Sequence, residues 1–364
     1  MHQMKEFGTF FANKYIPELK ETADDLTTER AFWRCSKAGR ARDSGIALIA
    51  GFNEAAEIEM FKSPVNYDID ADNFFRPWKI YKPVVDGIKS KADSDPIWIA
   101  KAEENYEMLK RVYSALGIQE KIISKPVKCL WSTTYISCLI AVEAYWPKEN
   151  DKRCAITEIV STLNPEDVSQ IKSLSLWVWQ QRFIDCDEYP LFGGRLTSEM
   201  LERCLDDSYR VNVYSAHDYT VLSALSALRI YPEYEEMLNF ACTLVIEVWS
   251  GVPPPHLTSG PARRPLGHEK TCIDNVVELF TGPAHVEGKV VRLLLNTNPF
   301  RDPMVSTLQP VPSANTACEI VLAEYTEAQV REKIRTIRSL FDTVSATAPM
   351  TEVRSGTGMD EDGE

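Results

Sequence analysis

The sequence predicts an α/β fold: a parallel sheet domain interrupted by a helical cap insertion. Three observations carry that prediction. Two strand-turn-helix units lie far apart, at residues 31–51 and 211–230; the residues between them, 53–190, offer few strand candidates; and strand-like runs return after the second unit, before a last amphipathic helix.

Met4, Phe7, Phe10, Phe11 and Tyr15 recur at helical spacing, which gives an amphipathic first helix ended by Pro17 or soon after. Residues 31–34 (AFWR) read as a short strand and 35–39 as a loop. Residues 44–51 (SGIALIAG) read as a helix with Ile46, Leu48, Ile49 and Ala50 on its apolar face and Gly51 near its stop. Arg40 and Arg42 fall in the intervening turn.

Beyond residue 53 the texture changes. Residues 66–72 are acidic and loop-like; 97–116 form one long helix pattern through Ile97, Ile99, Ala102, Tyr106, Leu109, Val112 and Leu116. Residues 130–146 are richly apolar, and 156–183 are mostly helical, with Pro165 near a start. Gly193, Gly194 and Arg195 then punctuate the chain before a helix at 196–205.

The second unit is residues 211–230, VNVYSAHDYTVLSALSALRI. Val211, Val213 and Ser215 alternate as in a strand, whereas Val221, Leu222, Leu225 and Leu228 follow the helical period. His217 and Asp218 thus sit where a strand's carboxyl end meets a helix amino end, the usual ligand crevice of an open α/β sheet. Further on, 242–248 (CTLVIEV) and 290–295 (VVRLLL) read as strands around a Pro/Gly-rich loop at 251–267. Residues 324–341 close as a charged helix, and the acidic tail 355–364 is expected to be disordered. The domain reading is therefore 1–52 with 191–354 as the α/β body, 53–190 as the helical cap, and 355–364 as tail.

Composition narrows the function. With 364 residues, 44% hydrophobic and 26% charged, the chain can bury a sizeable core. A net charge of -13 without a Lys/Arg stripe argues against nucleic acid and anionic membrane as partners. Nine cysteines without a C-x-x-C pair argue against a zinc knuckle or a thioredoxin-type motif. Their odd count and the lack of an Asn-x-Ser/Thr acceptor lean toward a reducing compartment. Residues 1–20 show no apolar signal-type core, and no run is long enough to span a bilayer, so the chain reads as soluble and untargeted.

Arg40, His217 and Asp218 are the residues suited to chemistry. A phosphate monoester calls for a planar multi-donor cation, which arginine supplies; an imidazolium adds a charged donor; and a carboxylic acid can protonate the departing alkoxide. Each also has a plainer role: Asp218 as a helix N-cap, His217 as a histidine satisfied by the backbone, Arg40 and Arg42 as surface charges at a helix end.

These stretches resemble the histidine acid phosphatase family. YSAHDYTVLSALSAL is similar to its Ser-Ala-His-Asp-Thr-Thr signature, and RCSKAGRARDSGIALIAGF to its second arginine block, with Arg34, Arg40, Ser44, Ala50 and Gly51 on the key positions. LFGGRLTSEML, the 242–249 strand and VVRLLLNTNPF resemble three further family segments, in family order. The resemblance implies a phosphoglycerate-mutase-like α/β domain that hydrolyses phosphate monoesters at acidic pH through a phosphohistidine. It implies Arg40 as a phosphate clamp, His217 as a charged phosphate donor, Asp218 as the proton donor, and a structural role for Arg34. Tyr219 stands where the family usually has Thr, which places a phenol near the pocket.

The family's Arg-His-Gly-x-Arg-x-Pro motif, source of its nucleophile and two more arginines, has no counterpart here. None of His2, His217, His256, His268 and His285 is preceded by Arg or followed by Gly. The expectation is an N-terminally truncated phosphatase, with a pseudophosphatase that binds phosphorylated ligands or a protein partner as the alternative, and a scaffold with a vestigial pocket as a third reading. No cofactor and no metal is implied, and a homodimer is left open. Family members are often secreted or lysosomal, which leaves the compartment unassigned.

Overall fold

A computed structural model describes residues 2–22, 31–57, 74–117, 125–145, 163–206, 208–230, 242–250, 289–296 and 319–350. The expected loops at 66–72 and 251–267, the start of the 156–183 helix, the acidic tail, and His256, His268 and His285 lie outside the described residues.

Helix α1 (His2–Thr22) buries Phe7 and sets Phe10, Phe11 and Tyr15 beside it, as the spacing predicts. It does not stop at Pro17, which lies inside the helix on the exposed side. The carbonyl that loses its partner there, that of exposed Asn13, can turn to water. Strand β1 (Ala31–Cys35) follows, then α2 (Gly39–Ala56). Gly51 is not a stop signal: α2 continues past it, because the glycine serves to let α1 approach, with Gly8 and Gly51 each facing a carbonyl of the other helix.

The next stretch is helical among the described residues: α3 (Pro77–Ile80), α4 (Lys82–Ala92), α5 (Pro96–Glu104), α6 (Tyr106–Ala115), α7 (Pro126–Tyr145) and α8 (Pro165–Phe183). The expected single helix over 97–116 is two, broken at Asn105, whose side-chain amide donates to the Lys101 carbonyl and competes with the helical ladder. The buried face of α5 is Trp98 and Ala102; Ile97, assigned to the apolar face, is 62% exposed. Leu109, Val112, Leu130, Ile136, Ile140, Ile171 and Val178 make a core of these helices' own. Tyr81, Val85, Trp179 and Phe183 join a second core shared with the strands.

Helix α9 (Tyr189–Leu205) runs straight through Gly193 and Gly194, which were expected to precede it. A Cβ on Gly193 would strike the Ser223 carbonyl, and one on Gly194 would press on Phe341, so both glycines are interior packing residues. Strand β2 (Val211–Ser215) and helix α10 (Asp218–Ala227) form the predicted second unit. Strands β3 (Thr243–Ser250), β4 (Lys289–Asn296) and β5 (Glu319–Thr326) and helix α11 (Glu327–Ser345) complete the described elements. The helix expected from 324 starts at Glu327, where Thr326 and Gln329 form a capping box; the strand before it was not read from sequence.

The sheet is parallel only in part. β1 and β2 pair parallel, while β3, β4 and β5 form a separate antiparallel sheet, with no ladder joining the two among the described residues. Antiparallel neighbours need no crossover helix, and no described helix lies between β3, β4 and β5. Both sheets nonetheless share their covering helices. On one face, Ala12 and Ile16 of α1 pack with Trp33, Cys35 and Val211, while Phe7 of the same helix packs on Val245 and Leu294. On the other, Leu196 of α9 packs with Tyr214 of β2, while Leu201, Leu225, Val330 and Ile337 gather with Val291, Leu293 and Leu295. The β3–β4 register sets Glu247 opposite Arg292, two residues of the family-like segments.

Candidate active site

The parallel register aligns Cys35 with Ser215, and the Ser36 amide donates to the Ser215 carbonyl at 2.9 Å, so the ladder runs one residue past β1. Both strands therefore end at the same level, and α2 and α10 start from the same side. Two helix amino ends, with their inward-pointing N–H dipoles, flank one crevice, an arrangement that favours an anion. Arg40 lies exposed in the first turn of α2 and Asp218 is the first residue of α10. A Cβ on Gly45 would meet Ser215 and Trp33, so α2 lies close against both strands. The Ser215 hydroxyl ties the strand to α2 by donating to the Ala41 carbonyl at 2.6 Å.

His217, not Asp218, occupies the N-cap position, with extended backbone angles of φ -123° and ψ 160°. Its amide donates to Thr220 Oγ1 at 3.4 Å, and that hydroxyl donates to the Phe75 carbonyl at 2.9 Å. The imidazole is buried; its Nε2 lies 2.9 Å from the hydroxyl of Ser36, and Trp78 stands edge-on at 6.2 Å. Asp218 Oδ1 accepts the Tyr219 amide at 2.8 Å. Burial raises the Asp218 pKa, outweighing the lowering by backbone N–H donors and by the Arg40 charge. A carboxyl whose pKa is raised above the usual range is better suited to delivering a proton than an ordinary exposed one.

The surrounding groups come from several elements. Cys138 of α7 feels both Asp218 and Arg40, and burial pushes its thiol up to about 11. Cys242, just before β3, is also raised by burial and by Asp218. The described residues thus bring Arg40, His217 and Asp218 to one crevice. Tyr219 borders the same region: its ring packs against Trp179 at 4.6 Å, Phe183 at 5.2 Å and Trp78 at 5.6 Å, beneath the Arg182 guanidinium, and the charges of Asp218 and Cys138 act on its phenol. Burial pushes that phenol up to about 12.

Arg34 faces away from the crevice, onto both carboxylate oxygens of Glu199 at 3.0 and 2.9 Å. Glu199 also takes Arg203 and the Tyr214 hydroxyl, which makes this a structural knot between α9 and the two parallel strands. Sequence reading missed Ser36 and Cys138. Ser36 lies two residues past a predicted strand end in a unit already marked by Arg40, the one signal that could have drawn attention to it; Cys138 sits in an apolar helix and gives none.

No family model and no curated protein matches the chain. Among solved structures, the phytase of Citrobacter braakii is similar over 92% of this chain and 86% of its own, with a TM-score of 0.58 at 12% identity. The phytase of Klebsiella sp. ASR1 is similar over 96% of this chain and 86% of its own, at 0.59 and 13%. A Hafnia alvei phytase in complex with myo-inositol hexakis sulphate is similar over 92% of this chain and 85% of its own, at 0.56 and 10%. At such identities the likeness speaks of architecture, and the conclusion it gives is that this chain has the histidine acid phosphatase fold of these phytases.

Proposed function

We propose that the crevice between α2 and α10 binds phosphate monoesters and takes part in their hydrolysis. The observation that supports this best is the convergence of Arg40, His217 and Asp218 at the carboxyl ends of one parallel strand pair. In this reading Arg40 holds two phosphate oxygens, His217 donates to a third, and Asp218 protonates the leaving oxygen. The likeness to phytases, whose name denotes a phosphate-ester substrate, supports the same class of ligand.

We propose further that residues 53–190 act as a cap that sets which ester enters, over a body formed by 1–52 and 191–354. The separate core of α5 to α8 and its seam through Tyr219 support that division. The covalent route requires an attacking histidine, and no histidine of the chain stands in the Arg-His-Gly-x-Arg-x-Pro context of the family. This supports a second reading, in which the chain as given binds phosphorylated ligands without turning them over.

An aryl phosphate assay from acid to neutral pH, paired with titration of inorganic phosphate, tests both. Turnover lost in Arg40→Ala and Asp218→Asn supports hydrolysis. Phosphate binding weakened by Arg40→Ala, without turnover, supports the second reading. Absence of both binding and turnover sinks the site.

A further inference from the structure

We propose that Ser36 is a positioning residue for His217, holding the imidazole in one orientation at the crevice; this rests on the reading of His217 as a phosphate ligand. Ser36 Oγ lies 2.9 Å from His217 Nε2, and Ser36 is fully buried, so no water stands ready to replace the hydroxyl. Three bonds fix its place. The Ser36 amide is anchored on the Ser215 carbonyl, the Ala38 amide donates to the Ser36 hydroxyl at 3.4 Å, and the Nε2 contact closes the set. Ala38 is the N-cap residue of α2, two positions before Arg40. One hydroxyl therefore ties together the start of the helix that carries the arginine and the ring of the histidine.

An imidazole turns about two side-chain torsions, and which nitrogen carries its proton is set by what the other nitrogen meets. With Nε2 engaged by Ser36, the ring is held in rotation, and the residue just past β1 takes part in setting which nitrogen carries the proton. Removing the hydroxyl takes away the Nε2 partner and loosens the ring, so that a ligand must select the productive orientation at a cost in affinity. Preorganised donors lose much of their value when they have to reorient at the moment of binding.

The full chain, labelled with ¹⁵N-histidine and with the His217 signals assigned through His217→Asn, supplies the test. The ligand-free ¹⁵N ring shifts and the affinity for inorganic phosphate are compared in native protein, Ser36→Ala and Ser36→Thr. Ser36→Ala is expected to shift the His217 ring signals toward a tautomer average and to weaken phosphate binding by about three- to tenfold, the span of one neutral hydrogen bond. Ser36→Thr, which keeps the hydroxyl, is expected to restore both. A folded Ser36→Ala with native ring shifts and native affinity overturns the proposal, as does a folded Ser36→Thr that behaves like Ser36→Ala. If the alanine variant does not fold, Ser36→Cys, closer in volume and poor in hydrogen bonding, takes its place in the same comparison. Should the native chain fail to bind phosphate, the anion-site reading falls, while the ligand-free ring shifts still decide the role of Ser36.

Discussion

The carbonyl oxygen of Lys5 lies 1.9 Å from where a Cβ on Gly51 would stand, so α1 and α2 meet backbone to backbone. Gly8 does the same toward the Leu48 carbonyl at 2.0 Å. Gly51→Ala must push the helices apart, and a loss of about 3 kcal/mol is expected, at the upper end for overpacking because the atom struck is backbone. Gly87 in α4 has open space around its Cβ position, so Gly87→Ala should stabilise by up to about 1 kcal/mol through helix propensity alone. Urea midpoints of the two variants, moving in opposite directions, check this.

Glu247 and Arg292 form the buried charge pair of the antiparallel sheet, both under 10% exposed and 3.5 Å apart. Glu247 also accepts the Tyr15 hydroxyl at 2.6 Å and the Trp249 indole N–H at 3.0 Å, while Arg292 reaches Glu324 at 2.5 Å. Glu247→Leu strands those donors and half the guanidinium's neutralisation, and a loss of about 3 kcal/mol is expected in denaturant unfolding. Replacing Glu327, whose partner Arg331 lies on the exposed face of α11, should move the unfolding midpoint far less than Glu247→Leu does.

Asp218 makes stability depend on pH. Its carboxyl binds a proton more tightly in the folded chain than in the unfolded one, because burial raises its pKa. Its contribution is therefore fully favourable below the ordinary carboxylate range, near about 3.9, and is lost as pH rises through the folded value. Asp218→Asn keeps the acceptor for the Tyr219 amide and removes the charge. It should melt at a higher temperature than native protein at neutral pH, with the gap closing in acid; a gap constant across pH would contradict the assignment.

Tyr219 fastens the first turn of α10 to α3 and α8 through Trp78, Trp179 and Phe183. Tyr219→Phe keeps the ring packing, and a change of less than about 1 kcal/mol is expected. Tyr219→Thr empties an aromatic site and should cost about 3 kcal/mol or more. Thermal melts of both variants rank the two effects.

Much of this was legible in the sequence because the signals were local. Alternation at Val211, Val213 and Ser215 followed by helical spacing placed β2 and α10, and the short run 31–34 followed by the apolar face Ile46, Leu48 and Ile49 placed β1 and α2. The glycines misled, since Gly51, Gly193 and Gly194 look the same in sequence whether they end a helix or admit a neighbour; only the partner across the interface decides. Strand β5 escaped because its residues run directly into the charged helix. The packing partners of Tyr219 escaped because they come from positions 78 to 183, a packing no spacing rule contains. The Ser36 to His217 contact spans 181 positions and exists only through the β1–β2 register.

The division of the strands into two sheets bears on how the molecule comes apart. A two-stranded ribbon has little stability of its own in water, so β1 and β2 persist only while the helices that also grip the antiparallel sheet stay docked. Phe7, Ala12 and Ile16 lie along one helix and join both, which makes α1 a rivet on one face as α9 is on the other. Amide protons at Trp33 and Val213 should then exchange with the same opening free energy as those at Leu293 and Leu294, in one cooperative foldon. The crevice has no melted state of its own: it survives as long as the whole does and is lost with it.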